Sequence, residues 1–214
     1  MFELRILIAQ PTLENGLIQL KSELDHNQEI DLVLFPEGYF THEWIEEVSS
    51  MARIHKTYIV SGYRDINHKD RAFIVNPLGD IVLDRAKTPE NETLYTPSKM
   101  QDDDLKIGYV LCREIFMGLE DLDSDPTDII FNPIGVGMFS EEQFIEWTTE
   151  AKKIAIEQKA FVIGASHADG SYRNCGFSIP VAFCFDREGN EVLVSKNDVR
   201  TRVLDIDLNK VGIM

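Results

Sequence analysis

Apolar runs cut by Pro, Gly or acidic turns recur along this chain, and their spacing predicts strands alternating with amphipathic helices. Residues 3–9 read as a buried strand. Leu13, Leu17, Leu20 and Leu24 then recur at helical spacing and predict a helix over 13–26. Residues 31–35 form a short apolar strand that Pro36 stops. A second helix over 41–56 carries Ile45, Val48, Met51 and Ala52 on its inner stripe. A strand at 58–62 precedes two more, 71–76 and 80–84, which flank the turn Asn76-Pro77-Leu78-Gly79 and read as a hairpin.

The stretch 85–104 is polar and aperiodic, and loops of that length are uncommon in compact domains unless they serve a function. Strand 105–111 follows and delivers Cys112 at its C-terminal end; a polar segment, 117–127, then leads to a strand over 128–132. Ser140 before Glu141, Glu142 and Gln143 is a helix start, with a capping hydroxyl and acids near the positive end. Phe144, Ile145, Thr148, Ala151, Ile154 and Ala155 carry that helix to 158, and strands at 161–165, 177–185, 191–195 and 202–206 complete the chain. The halves echo each other: each has a helix, then a strand, then a hairpin, one turning at Gly79 and the other at Gly189. This predicts one α/β domain over 1–214, with two similar halves sharing a core and mixed sheets each covered by helices on one face.

Composition narrows the partners. There are 37 acidic and 21 basic side chains among 214 residues, a formal charge of -16, which repels nucleic acid and anionic membranes. No window approaches the length of an apolar membrane span, and the first residues lack a basic, then apolar, export pattern. The three cysteines, Cys112, Cys175 and Cys184, cannot all pair within the chain and form no zinc-type spacing. Free thiols in a reducing cytoplasm are therefore expected. Cys184 reads as a packed strand residue and Cys175 as a loop residue.

Three residues have chemical interest because of their local address. Glu37 stands just past the strand 31–35, where partial burial would raise its pKa and suit it to proton transfer. Cys112 ends its strand beside Arg113 and Glu114, where a base or a nearby cation would activate a thiol. Lys87 follows the first hairpin and could stabilise an oxyanion, a role for which Lys99 and Lys106 compete on pattern alone. Taken singly, each also reads as an ordinary capping glutamate, inert cysteine or surface lysine.

Together, Phe35-Pro36-Glu37, Lys87 and Leu111-Cys112-Arg113-Glu114 resemble the nitrilase superfamily of carbon–nitrogen hydrolases. The resemblance runs along the chain. It includes Ala9-Gln10, the segment Asn76-Pro77-Leu78-Gly79-Asp80-Ile81-Val82, Glu92-Thr93-Leu94-Tyr95-Thr96-Pro97 and Lys106-Ile107-Gly108. In the second half it takes in Ala155 to Glu157, Phe161 to Gly164, Gly176-Phe177-Ser178, Asp186 to Gly189 and Asp205-Ile206-Asp207-Leu208. It implies a four-layer α-β-β-α sandwich and a Glu37-Lys87-Cys112 triad, with Glu92 (or Glu90 close by) as an auxiliary glutamate. It also implies no metal or organic cofactor, a small amide or carbamoyl substrate, and a homodimer.

The sequence departs from the family pattern in several places. The interval from Glu37 to Cys112 is short, the chain ends soon after Leu208, and Thr88-Pro89 stands where a histidine-leucine pair is common. Arg113 replaces a common aromatic and could bind a substrate carboxylate, or pair with Glu114 or Glu37. Tyr39, Phe116 and Ile134 are further substrate-contact candidates, with Tyr63 behind them, whereas His167 reads as incidental. The expected function is an amidase releasing ammonia and a carboxylic acid through a cysteine thioester. The alternatives are an N-carbamoyl amidohydrolase and a non-catalytic scaffold.

Overall fold

The computed structural model describes residues 4–120, 126–207 and 210–213. Leu208, the first residue of the expected strand 3–9 and the middle of the polar segment 117–127 lie outside them. The first half comprises β1 (Arg5–Ile8), α1 (Ile18–His26), β2 (Leu32–Leu34), β3 (Phe40–Thr41), α2 (Ile45–His55), β4 (Tyr58–Arg64), β5 (Asp70–Val75) and β6 (Ile81–Ala86). The second comprises β7 (Lys99–Asp102), β8 (Leu105–Tyr109), β9 (Ile129–Pro133), α3 (Glu141–Gln158), β10 (Phe161–Ala165), β11 (Val181–Phe185) and β12 (Glu191–Lys196). The chain then returns to the first sheet through β13 (Arg202–Asp205) and β14 (Lys210–Ile213).

The echo between halves is a repeat of topology. In the first sheet β1, β2 and β4 are parallel, and β5 and β6 add antiparallel to them. In the second, β8, β9 and β10 are parallel, and β11 and β12 add antiparallel in the same order. Short parallel strands buried on both faces explain the near-continuous apolar runs in the sequence.

Side-chain alternation sorts each strand between two cores. Ile6, Ile8, Leu32 and Leu34 meet Ile107, Tyr109, Ile129, Phe131 and Ile163 between the sheets. Leu7, Val33 and Ile59 turn outward onto Leu20, Leu24, Val48, Met51 and Ala52 of α1 and α2. Ile130, Val162 and Phe183 turn outward onto Trp147, Ala151, Ile154 and Ala155 of α3. The result is the expected α-β-β-α sandwich, each helix layer covering the outer face of one sheet.

Boundaries differ from expectation for local reasons. The first helix begins at Ile18 rather than near Leu13, because Gly16 takes φ +144 and breaks the pattern. Strand β11 begins at Val181 rather than 177, directly after Pro180, which has no N–H to give a ladder. The polar stretch 85–104 hides the edge strand β7, paired with β8 through a turn at Asp103 (φ +49). On α3 the inward residue is Trp147, while Ile145 is exposed. Ser140 does cap the helix, its Oγ accepting from Gln143 N–H at 3.2 Å.

A fully buried hydrogen bond crosses between the sheets: Tyr109 Oη on β8 donates to the Ser61 carbonyl on β4 at 2.7 Å. Tyr109→Phe keeps the ring and removes the donor. Denaturant unfolding should show a loss of about 1–3 kcal/mol; an unchanged midpoint would mean that the bond carries no stability.

Candidate active site

Glu37 and Lys87 leave the same edge of the first sheet. Strand β6 is two antiparallel steps from β4, so it runs in the direction of β2, and both chains exit at their C-terminal ends. Glu37 follows Pro36, and the Gly38 N–H donating to the Gly62 carbonyl at 2.8 Å pins its backbone. Lys87 extends β6 by one residue, its N–H donating to the Asp70 carbonyl at 2.9 Å. From these exits Lys87 Nζ donates to Glu37 Oε1 at 2.6 Å. The carboxylate is 2% exposed, so a solvated charge is not an option for it.

Cys112 comes from the facing sheet, just past β8. It takes φ +54, a left-handed conformation that non-glycine residues rarely adopt and that surrounding bonds must hold. Two buried polar side chains brace it. Asn132 Nδ2 donates to the Val110 and Cys112 carbonyls at 2.8 and 3.0 Å, and Trp147 Nε1 on α3 donates to Asn132 Oδ1 at 3.2 Å. Glu114 accepts from Leu111 N–H at 2.7 Å. The Gly135 N–H reaches the thiol from the loop after β9. A side chain at 135 would come within 2.9 Å of Glu37 Oε2 and nearer still to Tyr172, so the close approach requires glycine.

The electrostatics follow from this packing. Burial raises the Glu37 pKa above the usual carboxylate range; Lys87 opposes the rise, Asp70 adds to it, and Arg173 works against it. Burial and the Glu37 charge push the Cys112 thiol up to about 12, against the pull of Lys87 and the Gly135 N–H. For Lys87, burial disfavours the charge but is outweighed by the Cys112 sulfur and the Glu37 carboxylate, which keep it an ammonium. The 2.6 Å contact lets the Glu37 and Lys87 charges offset each other, while burial favours the neutral form of the thiol.

The other expected site residues lie elsewhere. Glu92 is exposed, its carboxylate accepting from Tyr95 Oη at 2.5 Å, and it does not join the cluster. Glu90 pairs with Arg113 at 2.9 Å, both largely exposed, so Arg113 meets neither Glu114 nor Glu37. Tyr39 is buried under α1, its Oη donating to Glu14 and accepting from Leu20 N–H, and it faces away from the cysteine. Tyr63 lies in the same helix-side core and bonds Asp84. Ile134 is fully buried beneath α3. Phe116 is 37% exposed and stands edge-on to Trp147 at 4.8 Å. Alternation or a solvent-facing turn directs these seven side chains off the inter-sheet edge.

Residues not expected at the site stand beside Glu37 instead. Asp70 sits near Glu37, bonded to Arg173 and at 3.4 Å from Tyr172 Oη. His167 is not incidental: fully buried, it stacks on Tyr172 at 4.9 Å, and its Nε2 donates to the Glu37 carbonyl at 3.1 Å. Among the residues that support the cluster, Asn132 had a sequence signal, as a polar residue inside an apolar strand.

The sequence matches no protein-family model and no curated protein. In structure, the chain shares the four-layer sandwich of the carbon–nitrogen hydrolase superfamily. XC1258 from Xanthomonas campestris, a superfamily protein solved with an arsenic adduct in its active site, superposes at TM-score 0.75 and 15% identity, over 95% of this chain and 90% of that one. Saccharomyces cerevisiae Nit3, a member of branch 10 of the nitrilase superfamily, gives 0.73 and 12%, over 97% and 92%. A mutant of the amidase from Nesterenkonia sp. AN1, showing covalent addition of the acetamide moiety of fluoroacetamide at its active-site cysteine, gives 0.70 and 12%, over 95% and 90%.

Burial drives the His167 pKa down to about 4 from 6.5, so the folded protein holds it neutral. The unfolded chain binds the proton first, and stability is lost as pH falls below 6.5 until the folded form also titrates near 4. The full contribution is about 3 kcal/mol. His167→Phe, which retains the stack, should flatten the pH dependence of unfolding free energy across that window. Parallel curves for parent and variant would contradict the assignment.

Proposed function

We propose that this chain hydrolyses non-peptide carbon–nitrogen bonds as an amidase, converting a small linear amide to a carboxylic acid and ammonia. The observation that carries the reading is the meeting of a buried Glu37–Lys87 pair with the thiol of Cys112. The covalent adduct on the active-site cysteine of the Nesterenkonia amidase supports the choice of nucleophile.

In this mechanism the thiol is deprotonated during attack rather than beforehand. Glu37 takes the proton as Sγ bonds to the carbonyl carbon, and the raised carboxylate pKa makes it a competent base at neutral pH. The carbonyl electron pair moves onto oxygen, where the Lys87 ammonium stabilises the negative charge. Collapse of the tetrahedral species breaks the C–N bond, and Glu37 returns its proton to the departing nitrogen. A thioester remains on Cys112. Water, deprotonated by Glu37, then releases the acid and restores the thiol. An N-carbamoyl substrate would pass through the same steps and differs only in the pocket.

Intact-mass measurement during turnover of short aliphatic amides and N-carbamoyl amino acids should trap an acyl group on Cys112. Adducts on Cys175 or Cys184 instead, or full turnover in Cys112→Ala, would sink the mechanism. Lys87→Ala should lower kcat by about 10²–10³-fold.

The acid limb of the rate profile should follow Glu37, with activity falling as pH drops through its raised pKa. Asp70 helps raise that value and Arg173 lowers it, so Asp70→Asn should shift the acid limb to lower pH. A shift to higher pH, or none, would remove Asp70 from the tuning of the base.

A further inference from the structure

We propose that Glu114 is a positioning residue that sets Lys87 and Cys112 at their working separation. The inference rests on the triad reading above and extends it to a group that touches none of the reacting atoms.

Glu114 is 1% exposed, and its two carboxylate oxygens accept four hydrogen bonds. Oε1 takes Arg85 Nη1 at 2.8 Å and Thr88 N–H at 2.6 Å, while Oε2 takes Arg85 Nη2 and Leu111 N–H, both at 2.7 Å. In sequence these donors bracket the two site residues. Arg85 and Thr88 stand on either side of Lys87, whereas Leu111 immediately precedes Cys112 and Glu114 itself follows two residues after it. A single carboxylate thus ties the exit of a first-sheet strand to the strained turn at the end of a second-sheet strand.

The Arg85 side is equally occupied. Its Nε donates to Ser98 Oγ at 2.9 Å and the Pro97 carbonyl at 3.1 Å, and Nη1 also reaches the Ala86 carbonyl at 3.0 Å. Every acceptor site on Glu114 is used, and a bidentate guanidinium fixes its plane. Glutamine in its place would present an NH₂ to donors, leaving buried N–H groups and the Arg85 charge without partners. Aspartate would keep the charge but fall one methylene short of spanning Leu111 and Thr88. The expected consequence is a small displacement between Lys87 Nζ and Cys112 Sγ, and near-attack geometry is sensitive to shifts of that kind.

The test reads thiol reactivity and needs no natural substrate. Alkylation of Cys112 by iodoacetamide is followed by peptide mass mapping across pH, with Cys175 in the same molecule as internal reference. Glu114→Asp should slow alkylation at Cys112 by roughly tenfold or more relative to Cys175 and move its pH midpoint. The double variant Arg85→Gln/Glu114→Gln removes both buried charges together. It guards against a fold lost to an unpaired ion and should show the same loss of Cys112 reactivity with a cooperative thermal transition. Parent-like rate and midpoint in either folded variant would overturn the proposal, since a stabilising role alone predicts that outcome. Glu37→Gln is the control: if it leaves Cys112 alkylation unchanged, the triad reading fails, and if it changes the rate or pH midpoint while Glu114→Asp changes neither, the positioning role alone fails.

Discussion

A carboxylate and an ammonium share one almost dry place in this protein, and the remaining features of the site follow from that. Neither Glu37 nor Lys87 could stay charged there alone, because removing a lone ion from water costs several kcal/mol, by order of magnitude. Their 2.6 Å contact offsets that cost and leaves the pair close to neutral as a unit. Burial above all, and then the Glu37 charge, disfavours a third charge on the neighbouring thiol. In the proposed mechanism a proton shifts from sulfur to carboxylate as the new bond forms. The net charge of the cluster stays constant throughout, so the low-dielectric surroundings do not penalise the step.

The sandwich is suited to build this arrangement because it repeats itself. Each half supplies three parallel strands whose C-terminal ends open at an edge, and the two sheets stack through their apolar faces. One half contributes the Glu37–Lys87 pair from the ends of β2 and β6, and the other contributes the Cys112 thiol after β8 and the N–H of Gly135 from the loop after β9. The helices stay out of the chemistry but reach it indirectly. Trp147 on α3 holds Asn132, and Asn132 holds the Cys112 carbonyl. The left-handed backbone at Cys112 is therefore paid for by bonds from a helix, a strand and the Glu114 carboxylate.

Most of the architecture was legible because strands buried on both faces write themselves as apolar runs with abrupt ends. Glu37, Lys87 and Cys112 were legible through their order along the chain. Side-chain direction just past those ends was harder to read, although for Ile134 the phase was available: Ile130, Asn132 and Ile134 alternate together, and all face α3. Tyr39 and Phe116 follow turns, where alternation gives no guide. The nearness of Asp70, His167 and Tyr172 to Glu37 had no local signal, because β5 of the same sheet delivers Asp70 and the loop after β10 of the facing sheet delivers the other two from distant positions. Strand β7 was hidden for the opposite reason, since a polar edge strand carries no apolar run.

Thr88 shows how a departure from the superfamily pattern can leave the geometry intact. What the site uses at this position is the backbone N–H, which Glu114 accepts at 2.6 Å and which any residue but proline supplies. The side chain is free for other work, and Thr88 Oγ1 accepts from Tyr95 N–H at 2.9 Å, closing the loop that follows Lys87. That loop carries Glu90 and Glu92, and its closure on Thr88 leaves both carboxylates at the surface. The same residue that preserves the placement of Lys87 thus goes with the absence of an auxiliary glutamate from the cluster among the described residues, and Asp70 supplies a second carboxylate near Glu37.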